Sequence, residues 1–146
     1  MADISDEFDV AATSQFSAID PSEIDQPEVP GKLSTEDRIA IDALPSGSAL
    51  LIALSGPNRG ARFLLDSERT TAGRHPHSDI FLDDSTVSRK HAVFVREGTR
   101  YSVKDSGSLN GTYVNRERAD EAVLQTSDEI QIGKFRLTFY ASKADR

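Results

Sequence analysis

From Leu44 onward the chain never sustains a helical period. Short apolar runs, "ALLIAL", "RFLL", "HAVFV", "YSVKD", "TYVN", "EIQIG" and "FRLTFY", are separated by turn clusters such as "GPNRG", "HPHSD", "REGTR" and "SGSLNG". Gly supplies positive φ, Pro a fixed φ, and Asn and Asp local side-chain hydrogen bonds, so each cluster marks a chain reversal. Short runs rich in β-branched and aromatic residues are strands, and strands at this spacing fold as an antiparallel sandwich or barrel. Alternation in "YSVKD" and "FRLTFY" predicts strands with one solvated face. Leu51, Phe63, Leu65, Ile80, Val93, Val103, Val114, Ile130, Ile132, Leu137 and Phe139 are the predicted core.

The beginning of the chain differs. Residues 1–45 carry eleven acidic and two basic residues, whereas residues 46–146 carry thirteen acidic and fifteen basic. Apolar residues are sparse there, and "DPSEIDQPEVPGKLS" adds three prolines and a glycine. Ordering that backbone has little burial to offset it. We therefore expect a disordered acidic tail over 1–45 and a folded domain over 46–143. Within the tail, "STEDRIAIDAL" is compatible with a short helix, because Ser34 or Thr35 can cap it and Glu36 and Asp37 suit its N-terminus. An acidic segment joined to a mildly basic domain is a partner for that domain on charge grounds.

Several function classes drop out. Without cysteine there is no disulfide, no thiolate zinc site and no cysteine catalysis. The opening "MADISDEFDV" has no basic or apolar signal region, and no apolar run approaches the roughly 18 residues that cross a bilayer, so a cytoplasmic protein without a membrane partner is expected. His75 and His77 stand near Asp79, Asp83 and Asp84, but they lack the ligand spacing of a metal centre and read as turn residues. There is no nucleophile elbow, Walker loop or dinucleotide glycine motif, so neither an enzyme nor a cofactor is expected. The cations of the domain are dispersed, which argues against nucleic acid.

What remains is a set of polar loop residues at predicted strand ends: Arg74 after Gly73, Ser88 with Arg89 and Lys90, and Ser108 with Asn110 before Gly111. Arginine offers a planar fork of donors to a phosphate, and serine adds a short hydroxyl. The asparagine amide can pair with an extended peptide backbone through both donor and acceptor. Together they suit a phosphorylated peptide.

"GR" at 73–74, "SxxH" from Ser88 to His91 and "NGTYVN" at 110–115 resemble the signature of the forkhead-associated domain. The resemblance implies an all-β sandwich of eleven antiparallel strands that binds phosphothreonine. It implies that Arg74 and Ser88 hold the phosphate, Arg89 supports it and Asn110 binds the peptide backbone. His91 would steady the loop from behind, and Gly111 would permit the turn after Asn110. Where the family often has Ser or Thr before the asparagine this chain has Leu109, so Ser108 is the expected source of that hydroxyl.

More narrowly, "GPNRGARFLLD", "TAGRHPHSDIFLDD" and "SLNGTYVNRE" resemble the small actinobacterial regulators of the GarA and OdhI type. That resemblance implies a monomeric metabolic regulator whose unphosphorylated form binds and inhibits the E1 component of 2-oxoglutarate dehydrogenase, with further clients among glutamate-metabolism enzymes. Phosphorylation of the tail by a Ser/Thr kinase would make the domain bind its own tail and release the enzyme. Thr13 in "VAATSQF" matches the second threonine of the family's tail motif, with Phe16 three residues on, whereas Ala12 replaces the first. The alternative is an adaptor that reads phosphothreonine on a kinase or another client in trans.

Overall fold

In the computed structural model of the protein, residues 32–146 are described. The expectations placed on Ala12, Thr13 and Phe16 lie outside them. Eleven strands follow one helix, α1 (Thr35–Asp42). They are β1 (Ala49–Ser55), β2 (Arg62–Leu65), β3 (Arg69–Gly73), β4 (Ile80–Phe81), β5 (Ala92–Glu97), β6 (Arg100–Asp105), β7 (Thr112–Val114), β8 (Glu117–Arg118), β9 (Glu121–Val123), β10 (Glu129–Ile132) and β11 (Phe135–Ala141). One sheet has the order β9-β6-β5-β3-β4 and the other β2-β1-β11-β10-β7-β8. The pairing is antiparallel except between β3 and β4, where Ala72 and Gly73 run parallel to Ile80 and Phe81.

The two sheets enclose Leu51, Leu65, Phe94, Val103, Ile130, Ile132, Leu137 and Phe139. Of the predicted core, Phe63 and Val114 are half-buried against its margin. Val93 is buried but lies on the other face of its sheet, beside Thr71 and Lys104. Its β5 neighbours Ala92 and Phe94 are the ones that enter the core.

A second apolar cluster explains why β1, "ALLIALS", lacks alternation. Ala49, Leu51 and Ala53 face the inter-sheet core, while Leu50 and Ile52 meet Ile41 of α1 and Tyr140 of β11. A strand buried on both faces needs no polar side. The helix begins where its chemistry allows: the Ser34 hydroxyl accepts the Asp37 N–H at 3.0 Å, and the Asp37 carboxylate accepts the Ser34 N–H at 3.0 Å. This is a reciprocal capping box, here with aspartate in the acidic position. Arg62 of β2 then pairs with Asp37 at 3.0 Å, tying the helix to the sheet. The boundary expected at residue 46 thus falls inside packed structure, because the chain is part of the fold from α1 onward.

The end of the chain returns to the same place. Asp145 accepts from the Ser46 hydroxyl at 2.6 Å and the Gly47 N–H at 2.7 Å, and the Ser142 hydroxyl donates to the Leu44 carbonyl at 2.9 Å. Leu33, just before α1, and Arg146 line a single cleft.

Candidate functional site

Three loops build the site: residues 74–79 between β3 and β4, 82–91 between β4 and β5, and 106–111 between β6 and β7. The first two are in direct contact. A Cβ on Gly73 would stand 2.2 Å from the Arg89 carbonyl oxygen, so no other residue fits at the end of β3. The Arg74 N–H donates to the Ser88 carbonyl at 3.0 Å, and its Nε donates to the Val87 carbonyl at 3.0 Å. The His75 N–H reaches the Arg89 carbonyl at 3.3 Å. Half-buried Arg74 is therefore aimed by the loop that carries Ser88 and Arg89.

His91 joins that loop to the third. Its ring is completely buried; Nδ1 accepts the Ser88 N–H at 3.0 Å and Nε2 lies 2.9 Å from the Gly111 carbonyl. A backbone N–H can only donate and a carbonyl only accept, so the ring is the neutral tautomer protonated at Nε2. The third loop closes on the second at two more points. The Leu109 N–H donates to the Ser88 hydroxyl oxygen at 3.0 Å, and the Asn110 side-chain amide donates to the Thr86 carbonyl at 3.0 Å. Gly111 takes φ +87°, a conformation that L side chains adopt only with strain.

Ser108 does not stand with this group. Its hydroxyl donates to Asp105 at 2.5 Å and accepts the Gly111 N–H at 2.9 Å, and the residue is 8% exposed. It shapes the turn from within, while Leu109 beside it is 85% exposed. The hydroxyl expected from Ser108 at the ligand is thus turned into the loop, because Asp105 collects it along with the Thr112 hydroxyl and the N–H groups of Gly107 and Ser108. Burial alone would raise the Asp105 pKa, but these hydrogen bonds outweigh it and hold the group below the usual carboxylate range.

Asp84 has a similar role in the second loop. The hydroxyl and N–H of Thr86 both donate to it, and with help from Lys134 they lower its pKa from the ordinary 3.8 to about 2. The Thr86 hydroxyl oxygen in turn accepts the Lys134 N–H at 3.0 Å from the β10–β11 turn. Sequence reading missed this Asp84–Thr86–Lys134 link, although an aspartate two residues before a threonine is an Asx-turn signal. Lys134 could not be foreseen, since it comes from 48 residues away.

The other residues weighed for metal are arranged differently. Asp79 accepts from the N–H and hydroxyl of Thr71, and His75 Nδ1 accepts the His77 N–H at 3.0 Å. No group of three or more metal-ligating side chains occurs among the described residues. Desolvation, then the charges of Arg89, His77 and Lys90, push the His75 pKa below its ordinary value.

Gly73, Arg74, Ser88, Arg89, His91, Asn110 and Gly111 are therefore linked across three loops, with donors and cations at the surface and the carboxylates of Asp84 and Asp105 turned into the loops. Such a site can take a dispersed anionic charge by multiple hydrogen bonds.

The chain is similar in sequence and fold to known proteins. Residues 70–133 match the family model described as FHA domain. The chain is 58% identical to the glycogen accumulation regulator GarA of Mycolicibacterium smegmatis, over 94% of this chain and 86% of that protein. It is 67% identical to the oxoglutarate dehydrogenase inhibitor of Corynebacterium glutamicum, over 70% of this chain and 71% of that protein. Among solved structures, Mycobacterium tuberculosis EmbR in complex with a low-affinity phosphopeptide superposes with a TM-score of 0.61 at 34% identity, covering 74% of this chain and 29% of that one. Since the identity runs through nearly the whole chain and the matched segment carries the three bonded loops, this protein belongs to the forkhead-associated (FHA) domain family.

Proposed function

We propose that this protein is a non-enzymatic metabolic regulator whose loop site reads phosphothreonine. Arg74 and the Ser88 hydroxyl hold the phosphate, Arg89 supports it, and the Asn110 amide pairs with the peptide backbone. In the unphosphorylated state the domain binds and inhibits the E1 component of 2-oxoglutarate dehydrogenase. Phosphorylation of Thr13 by a Ser/Thr kinase supplies the domain with an intramolecular ligand and ends the inhibition.

The observation that carries this reading is the 67% identity to a protein named for inhibiting oxoglutarate dehydrogenase. The rigid linkage of Arg74, Ser88 and Asn110 supports the phosphate role, because a preorganised site loses little entropy on binding. Reach is no obstacle. Thr13 precedes Ser34 by about 20 residues, each spanning up to about 3.3 Å, whereas a domain of this size has a radius of gyration of roughly 13 Å.

The test is an assay of purified 2-oxoglutarate dehydrogenase with the full chain before and after stoichiometric phosphorylation at Thr13. Inhibition that disappears on phosphorylation is the expected result, and no inhibition by either form would sink the proposal. The phosphopeptide bound by EmbR favours a second reading, an adaptor that captures phosphothreonine on another protein. Under that reading phosphorylated chains associate with one another or with a client as concentration rises, instead of closing on themselves.

A further inference from the structure

Asn110 and Gly111 form the one Asn-Gly pair in the chain, and it stands within the loop site. We propose that this pair is a self-modification site: the Asn110 amide converts to a carboxylate through a cyclic imide, and the hydrogen bonds to Ser108 and Thr86 gate the conversion.

The chemistry needs only water and base. The Gly111 main-chain nitrogen, once base has taken its proton, attacks the Asn110 side-chain carbonyl carbon. A new N–C bond closes the imide ring, the bond from that carbon to Nδ2 breaks, and the departing nitrogen takes a proton to leave as ammonia. Water then adds to either imide carbonyl and reopens the ring. One opening gives aspartate. The other gives isoaspartate, whose main chain runs through the side-chain carbonyl and is one carbon longer. Glycine favours the attack because it has no Cβ to shield its nitrogen. Asn58 and Asn115 are each followed by arginine and lack that opening.

The fold holds the reacting groups on different partners. The Gly111 N–H donates to the buried Ser108 hydroxyl oxygen at 2.9 Å. The Asn110 amide donates to the Thr86 carbonyl, on another loop, at 3.0 Å. On its far side Gly111 is pinned again, where its carbonyl meets His91 at 2.9 Å. Attack needs the Gly111 nitrogen stripped of its proton and the Asn110 side chain swung onto it, so both bonds must open together. Asn110 is exposed, so water and base reach it without global unfolding. Local opening of the loop therefore sets the rate.

Conversion disables the site. A carboxylate at position 110 cannot donate to the Thr86 carbonyl, and it sets a negative charge beside the phosphate. Isoaspartate lengthens the loop between β6 and β7 and shifts the Gly111 carbonyl away from His91. The effect on binding rests on the phosphothreonine reading above, whereas the conversion itself does not.

The experiment incubates the full chain in mildly alkaline buffer and follows aspartate and isoaspartate at position 110 by peptide mass spectrometry. The native chain should convert at least about tenfold more slowly than the same chain in denaturant. Ser108→Ala should speed conversion about three- to tenfold, the change in opening equilibrium that one lost hydrogen bond gives. Ile41→Ala, which loosens the fold at α1 instead, should leave the rate near the parent's. The proposal is overturned by equal rates in native and denatured chain, by no product in either, by an unchanged rate in Ser108→Ala, or by an equal acceleration in both variants. Asn110→Asp should bind a phosphothreonine peptide at least about fivefold more weakly than the parent. Unchanged binding overturns the claim that conversion disables the site. A parent chain that binds no phosphothreonine peptide overturns the underlying reading and that claim with it, while the conversion rates still decide the modification.

Discussion

Buried His91 meets the Gly111 carbonyl at 2.9 Å through one ring nitrogen while the other receives the Ser88 N–H, so a single imidazole sets the spacing of two loops. His91→Ala should lower stability by about 2–4 kcal/mol, because it opens a cavity and strands two buried backbone groups. Phosphopeptide affinity should fall as well, since Ser88 and Asn110 lose their common brace. Chemical denaturation and calorimetric titration check the two effects, and unchanged affinity in the folded variant would remove the ring from the site's architecture.

Arg74→Ala should weaken phosphothreonine-peptide binding by at least about tenfold, since charge-assisted hydrogen bonds contribute about 1.5–3 kcal/mol each. A small drop in melting temperature should accompany it, because the Nε bond to the Val87 carbonyl is lost too. Titration with a phosphorylated Thr13 peptide gives the answer, and equal affinity would exclude Arg74 as the phosphate ligand.

Two serines should separate. Ser108→Ala removes a bond to Asp105 and one from the Gly111 N–H, so it should destabilise the domain by roughly 1–2 kcal/mol. Ser88→Ala should act mainly on affinity, as its hydroxyl receives only the exposed Leu109 N–H. Melting curves and titrations on both variants would reveal a reversed pattern if Ser108 is the ligand instead.

Acid should weaken the loop scaffold in a defined window. The Asp84 pKa is depressed from 3.8 to about 2, so the folded state prefers the ionised form. The stability this contributes is present above the unfolded value and is lost as pH falls through about 4 toward 2. Asp84→Asn should flatten this part of the stability profile. A variant whose profile between pH 4 and 2 matches the parent's would contradict the assignment.

Truncation should distinguish the two ends of α1. A chain beginning at residue 32 keeps the helix and should retain inhibition of the dehydrogenase. A chain beginning at residue 46 bares Leu50, Ile52 and Tyr140, which Ile41 now covers, and should be destabilised by about 2–3 kcal/mol. Equal melting temperatures would show that the helix contributes nothing to the fold.

The strands and the three loop motifs were legible because each depends on local chemistry. Gly73 is an example, since only a glycine tolerates the Arg89 carbonyl, and "GR" announces it. For His91 the resemblance implies a place behind the loop, and its buried ring bonds the Ser88 N–H and the Gly111 carbonyl. The contacts that escaped detection connect distant residues: Lys134 to Thr86, Asp145 to Gly47, and α1 to the outer face of β1. The non-alternating run "ALLIALS" did hold the clue to the last of these, for a strand apolar on both faces requires a second cover. The bond from the Ser108 hydroxyl to Asp105 was not legible either, because that aspartate is close in sequence yet equally suited to an ordinary turn.

The cleft shared by Leu33 and Arg146 bears on how this fold can be engineered. Because the two ends of the folded part lie side by side, a short linker can join them and new termini can be cut elsewhere, as at the exposed "GPNRG" turn. For the same reason the whole unit can be grafted into a surface loop of another protein without stretching its host, carrying with it the three bonded loops between β3 and β7.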